Sequence, residues 1–128
     1  FTSIIPNLIV PGVTEAIKQT SATLLYVINI MTKFGETHNF AGVDFVKKLE
    51  DYLERQVDGV IYNTERPDEY LLDEYQKQKA EFVEIDVNDA WWGDRKVYTA
   101  QMLDSSGGIV RHDSKRLASL IREINSLY

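Results

Sequence analysis

The chain has 128 residues, 44% of them hydrophobic and 27% charged, with a formal net charge of -6 and no cysteine. Its length suits one domain with one core, and a composition near the globular average excludes a disordered chain. The acidic balance, with no basic run longer than Lys47-Lys48, argues against nucleic acid or an anionic membrane as a general partner, and the missing thiols exclude disulfides, thiolate metal sites and a Cys nucleophile.

The sequence opens on Phe1 and runs at once into an apolar segment, Ile4 to Val10. No basic start precedes an apolar signal core and no apolar stretch reaches the about 18 residues of a spanning helix, so a soluble, cytoplasmic, excised or truncated piece is expected. Ser3 to Val10 reads as a helical turn bent at Pro11-Gly12, followed by a helix over Val13 to Gln19. Thr23 to Ile30 (TLLYVINI) is a near-continuous apolar, β-branched and aromatic run, the mark of a buried parallel strand, and leads into an irregular segment over Met31 to Gly42. In Val43 to Arg55, Val43, Val46, Leu49 and Leu53 recur at helical spacing opposite Lys47, Lys48, Glu50, Asp51 and Glu54, which predicts an amphipathic crossover helix. A second strand follows at Val57 to Asn63, then a helix over Asp68 to Lys79 and strands at Phe82 to Val87 and Lys96 to Leu103. The last element is a helix from Ser114 to Tyr128, with Asp113 as N-cap and Leu117, Leu120, Ile121 and Ile124 as one stripe toward the sheet. The alternation is that of an α/β fold.

Ligands of parallel sheets bind beyond the carboxyl ends of strands, which draws attention to the segment after Ile30. It offers Asn29, Thr32, Glu36, Thr37, His38 and Asn39 as polar groups, with Gly35 and Gly42 allowing close backbone approach; an ordinary surface loop fits the same residues. In Ser105 to Asp113 (SSGGIVRHD), Gly107-Gly108 permits unusual dihedrals and Arg111 is suited to bidentate phosphate contact, while on local grounds a turn entering a capped helix is the better account. Thr2 and Ser3 stand at a helix start, where an anion or simple capping is favoured. Two histidines are too few for a typical zinc centre, although His38 or His112 could join Glu36, Asp44 or Asp113 around magnesium. No G-x-S-x-G elbow supports a hydrolase triad. The adjacent Trp91 and Trp92 read as a hydrophobic lid over a sheet edge.

In order, TSIIPNLIVPGVTEAI, YVINIMTKFGET and GGIVRHDSKRLASLI resemble three blocks of the gluconeogenesis-factor (YvcK-type) branch of the CofD, or phospholactate transferase, superfamily. The resemblance implies a Rossmann-like three-layer sandwich with a mostly parallel sheet, of which this chain is the C-terminal half. Family members carry a glycine-rich nucleotide loop and a GPGSL-type turn ahead of the part matched here, so the missing N-terminal half of the same fold would be a partner. By the same resemblance Thr2, Ser3 and Asn7 continue a phosphate-binding turn, and Asn29, Met31, Thr32, Gly35, Glu36 and Thr37 border the ligand cleft. The family's Asp-His pair is here Asp44-Phe45, and its proline after Arg-His-Asp is Ser114.

The function implied is a regulatory UDP-sugar-binding protein without turnover, needed for growth on gluconeogenic carbon sources and for cell shape, with a homodimer as a further expectation. The alternative is a transferase joining a phospholactyl group to a deazaflavin precursor, with magnesium bound alongside the nucleotide donor and with Glu36 and Asp44 as metal ligands or base. A third reading is an interaction domain with no ligand.

Overall fold

The computed structural model describes residues 1–128. Three strands, β1 (Leu25–Val27), β2 (Gly59–Asn63) and β3 (Lys96–Ala100), form a parallel sheet in the order β1-β2-β3. Five helices accompany them: α1 (Ile5–Leu8), α2 (Val13–Gln19), α3 (Gly42–Leu53), α4 (Glu69–Gln76) and α5 (Ser114–Asn125). A two-residue antiparallel hairpin, β4 (Leu103–Asp104) with β5 (Arg111–His112), lies beyond β3.

Side chains alternate across a strand, and here the alternation feeds two separate cores. Tyr26, Ile28, Val60 and Tyr62 point to one face, where Phe45, Val46, Leu49 and Leu53 of α3 meet them together with Leu8, Val83 and Trp92. Leu25, Val27, Ile61 and Tyr98 point to the other, against Met102 and the α5 residues Leu117, Leu120 and Ile124. Helices therefore cover both faces, which makes the fold a Rossmann-like α/β sandwich as expected. Gly59 is required at the head of β2, because a Cβ there would stand 3.1 Å from Leu25 Cδ2, the Lys96 carbonyl and Tyr98 Cε2 at once.

The helix expected over Val43 to Arg55 is α3; it stops where Glu54 adopts a left-handed conformation with φ of 50°. The bend expected at Pro11-Gly12 is present, with Gly12 at φ of 90° between α1 and α2. α1 itself covers only four residues of the expected turn. Asp68 caps α4 by accepting the Leu71 amide at 2.9 Å, and Asp113 caps α5 by accepting the Lys115 and Arg116 amides at 3.0 Å.

Several expected elements differ. Phe82 to Val87 is not a strand of the sheet: it makes one antiparallel bridge, Met31 to Phe82, and otherwise serves as a partly buried strap whose Val83 amide donates to the Ile30 carbonyl at 2.8 Å. Its apolar character reflects packing of Phe82 and Val83 into the core rather than ladder pairing. The strand expected from Lys96 to Leu103 breaks after Ala100, because the Met102 amide donates to the Asn63 side chain and not to a neighbouring strand. The last helix closes at Asn125, and of its expected stripe only Ile124 is buried, while Ile121 is 41% exposed. Trp92 enters the core and donates its indole N–H to the Asp86 carbonyl at 2.8 Å, so it packs under the surface and does not cap an edge.

No helix is long and apolar enough to cross a membrane.

Candidate functional site

The polypeptide leaving β1 at its carboxyl end stays extended through Ile28, whose amide donates to the Ile61 carbonyl at 2.9 Å, and is then strapped to the segment ahead of Phe82. Thr32 locks this strap from both sides. Its amide donates to the Glu81 carbonyl at 2.8 Å and its hydroxyl accepts the Glu81 amide at 2.9 Å. Asn29 and Met31 are thereby fixed at the strand end on one wall of a cleft of about 360 Å³.

The opposite wall comes from far along the chain. Arg111 and His112 enter the same cleft from β5, with Val110 just ahead of them, and Tyr75 enters it from α4. The Tyr75 hydroxyl accepts the Val110 amide at 2.9 Å, tying the hairpin to the helix. The Asp113 amide donates to the Met102 carbonyl at 2.7 Å, which holds the other end of the hairpin against the end of the sheet. Two segments some eighty residues apart, Asn29–Met31 and Val110–His112, thus share one opening.

Arg111 reaches along the hairpin. Its Nε lies 3.5 Å from Asp104 Oδ2 and its Nη2 donates to the Ser106 carbonyl at 3.4 Å, with the side chain 55% exposed. Hydrogen bonds from the Ser106 hydroxyl and amide hold the Asp104 carboxyl below its ordinary range, so the partner of Arg111 is a firm anion. The Arg111 guanidinium is thus oriented by that carboxylate and still open to solvent. Tyr26 donates from its buried hydroxyl to Asn29 Oδ1 at 3.0 Å, leaving the donor end of the Asn29 amide for a ligand. Burial pushes the Tyr26 hydroxyl pKa far up, so it remains a donor throughout the physiological range.

The other expected site residues are placed as follows. Thr37 is buried and its hydroxyl accepts the Lys33 amide at 2.8 Å, so with Thr32 it shapes the loop and does not line the cleft. Gly35 has φ of 83°, a conformation that few other residues adopt, and Glu36 pairs with Lys33 at 3.1 Å. Asp44 Oδ2 accepts the Ala41 amide at 2.8 Å and caps α3, and Phe45, where the family has His, is fully buried edge-on to Phe1 and Phe40. Thr2 and Ser3 are exposed, and Asn7 donates to the Ser3 carbonyl at 2.8 Å, so this trio forms its own turn ahead of the cleft-lining residues. His38 packs tilted against Phe34 at the loop surface, with ring centroids 5.3 Å apart.

Nowhere do three or more His, Cys, Asp or Glu side chains converge as a metal cage. Glu36 pairs with Lys33 at the surface and Asp44 caps α3.

Tyr75 was not foreseeable as a site residue, since in EYLLDEYQ it has the look of an ordinary helix position and its role depends on a hairpin 35 residues away. His112 was visible only as a metal-ligand candidate.

A parallel sheet with helices on both faces and a cleft beyond the carboxyl end of a strand defines a Rossmann-like α/β protein. The family model described as 2-phospho-L-lactate transferase CofD matches residues 1–103, and the chain belongs to the CofD family. Among curated relatives, "Putative gluconeogenesis factor" of Thermotoga maritima is 42% identical over 128 residues, covering 98% of this chain and 41% of its own length. The gluconeogenesis factor of Bacillus subtilis is 29% identical, covering 97% of this chain and 39% of its own length. The crystal structure of a UPF0052 family member from Bacillus halodurans superposes with a TM-score of 0.84 at 28% identity, covering 91% of this chain and 38% of that one. The chain therefore spans about two fifths of the length of the relatives it matches.

Proposed function

We propose that the protein binds a nucleotide sugar, a UDP-sugar such as UDP-N-acetylglucosamine, as a regulator of growth on gluconeogenic carbon sources and of cell shape. The observation that carries this reading is the single cleft in which Asn29 and Met31, at the end of β1, face Tyr75 and Arg111. Arg111 supplies a cation for a diphosphate, and the uncharged remainder of the lining suits a sugar or a base. Two further observations favour a regulator over a phospholactyl transferase. Glu36 and Asp44, the carboxylates a transferase would use for metal or base, are engaged in a loop ion pair and a helix cap. The Arg111–His112 segment lies outside the CofD match at residues 1–103 but inside the 98% of the chain aligned with the Thermotoga maritima relative.

The test is calorimetric titration of UDP-N-acetylglucosamine into the full-length protein, with and without magnesium, with a phospholactyl-guanosine donor as comparison ligand. Saturable UDP-sugar binding is expected, weakened about ten- to a hundredfold by Arg111→Ala through loss of charge-assisted hydrogen bonds worth ~1.5–3 kcal/mol, with the fold retained. Consumption of the phospholactyl donor without UDP-sugar binding would instead assign the protein to the transferases.

A further inference from the structure

A hydroxyl of the core and an amide of the cleft wall form one unit where the chain leaves β1. Tyr26 is 4% exposed, and its hydroxyl has a single hydrogen-bond partner, Asn29 Oδ1 at 3.0 Å. That isolation fixes the sense of the bond. With the amide turned about, Nδ2 would donate to the phenol and leave the phenolic proton buried with no acceptor, a loss that native interiors avoid. The hydroxyl therefore donates, Oδ1 accepts, and both hydrogens of Nδ2 stay free.

Asn29 Nδ2 makes no hydrogen bond within the protein, and it is not one of the protein's buried unpaired atoms, so it keeps contact with solvent. The residue lines the cleft whose other wall carries Tyr75 and Arg111. The Tyr75 hydroxyl accepts the Val110 amide and has no protein acceptor for its own proton, and a guanidinium bears donors only. Asn29, Tyr75 and Arg111 thus all offer hydrogens, and the lining contains no carboxylate. Such a cleft suits a ligand rich in acceptor oxygens. Without the phenol, the Asn29 amide would be free to present either end, and an acceptor there would repel those oxygens.

We infer that Tyr26 is a positioning residue for the ligand: by holding Oδ1 it makes Asn29 a donor toward an acceptor oxygen of that ligand, on a phosphate or on a carbonyl of the base or acetamido group. The inference rests on the ligand-binding reading above and deepens it, because selection then depends on a core residue that never touches the ligand.

Variants of the full-length protein test it by calorimetry. Asn29→Asp keeps the acceptor that Tyr26 uses and replaces the Nδ2 donors by an oxygen, and Tyr26→Phe removes the hydroxyl alone. UDP-N-acetylglucosamine is expected to bind Asn29→Asp at least about thirtyfold more weakly, with the thermal melt near native, because a carboxylate oxygen then meets an oxygen of the ligand. Tyr26→Phe is expected to weaken binding about three- to tenfold, the worth of orienting one neutral hydrogen bond, and to cost no further affinity once Asn29→Ala is present. Native affinity in Asn29→Asp overturns the inference. So does a Tyr26→Phe loss that persists undiminished beside Asn29→Ala, since a purely structural phenol acts without the amide. Inorganic pyrophosphate separates the two sources of oxygen: weakening of its binding by Tyr26→Phe places the acceptor on phosphate, and weakening of the nucleotide sugar alone places it on a carbonyl. NMR of the Asn29 side-chain amide in the ligand-free protein gives a readout independent of affinity, because resonances unmoved by Tyr26→Phe overturn the positioning role whatever binds. If the native protein does not bind UDP-N-acetylglucosamine, the nucleotide-sugar reading falls and Asn29 is judged with guanosine diphosphate. Movement of its side-chain amide resonances on titration then upholds the donor, and its absence overturns it.

Discussion

Asn63 Oδ1 accepts the Met102 amide at 2.8 Å in the interior, where Asn63 is 2% exposed and Met102 fully buried. This contact ends the parallel pairing of β2 with β3 and turns the chain toward the hairpin that carries Arg111 and His112. Removing the acceptor in Asn63→Ala strands a buried amide, so stability should fall by ~1–3 kcal/mol in urea denaturation, with Asn63→Asp closer to native.

Glu50 of α3 and Arg95 ahead of β3 form a two-pronged ion pair, with Nε to Oε1 at 2.8 Å and Nη2 to Oε2 at 2.7 Å. Both side chains are nearly buried, and Arg95 also lies 4.1 Å over the Trp91 ring. Glu50→Ala leaves the guanidinium without its partner and deprives the Val57 amide of its acceptor, so a loss of ~3–5 kcal/mol is expected. The double variant Glu50→Leu with Arg95→Met should lose much less, as chemical denaturation of the pair of proteins will decide.

Burial depresses the His112 pKa in the folded state, so below the ordinary histidine value near 6.5 the unfolded chain takes up a proton that the native protein resists. The contribution is fully present above that value and is lost as pH falls from it toward the folded pKa. Stability should therefore decline on acidification through that window, and the decline should be shallower in His112→Phe. Thermal melts of both proteins at matched ionic strength check the slope.

Tyr75→Phe removes the acceptor of the Val110 amide while keeping the ring in the cleft. We expect a stability change of only ~1 kcal/mol and a several-fold weaker UDP-sugar affinity, because the hairpin wall loses its tie to α4. A large stability loss with unchanged affinity would remove Tyr75 from the site.

The sheet-building core was legible in the sequence because its continuous apolar runs and its helical stripe are local. TLLYVINI, VDGVIYN and the α3 stripe each declare their own geometry, and Asp113 declares a helix start. Phe82 to Val87 misled because burial and β propensity are the same whether a segment joins a ladder or straps a core. Asn29, Met31 and Arg111 were recognised from position and resemblance, and the fold brings them into one cleft. The polar residues Thr32, Glu36, Thr37 and Asp44 attracted notice for the same reason, yet their hydrogen bonds and ion pairs are internal. Sequence position locates a ligand-facing loop but cannot distinguish side chains turned outward from those that hold the loop in shape. Tyr75 stayed hidden because its meaning depends wholly on a distant hairpin.

The two faces of the sheet are held very unequally. On the α3 side fifteen buried residues form one cluster, and on the α5 side only Ile61, Met102 and Ile124 do. Cooperative opening of a native protein begins where buried contacts are fewest, so α5 can lift from the sheet while the α3 side stays intact. Because Asp113 joins α5 directly to β5, such an excursion draws Arg111 and His112 away from Asn29. A ligand that spans that gap, as the proposed reading requires, would act as a clasp on the weaker face, its binding energy returning as stability of the C-terminal helix.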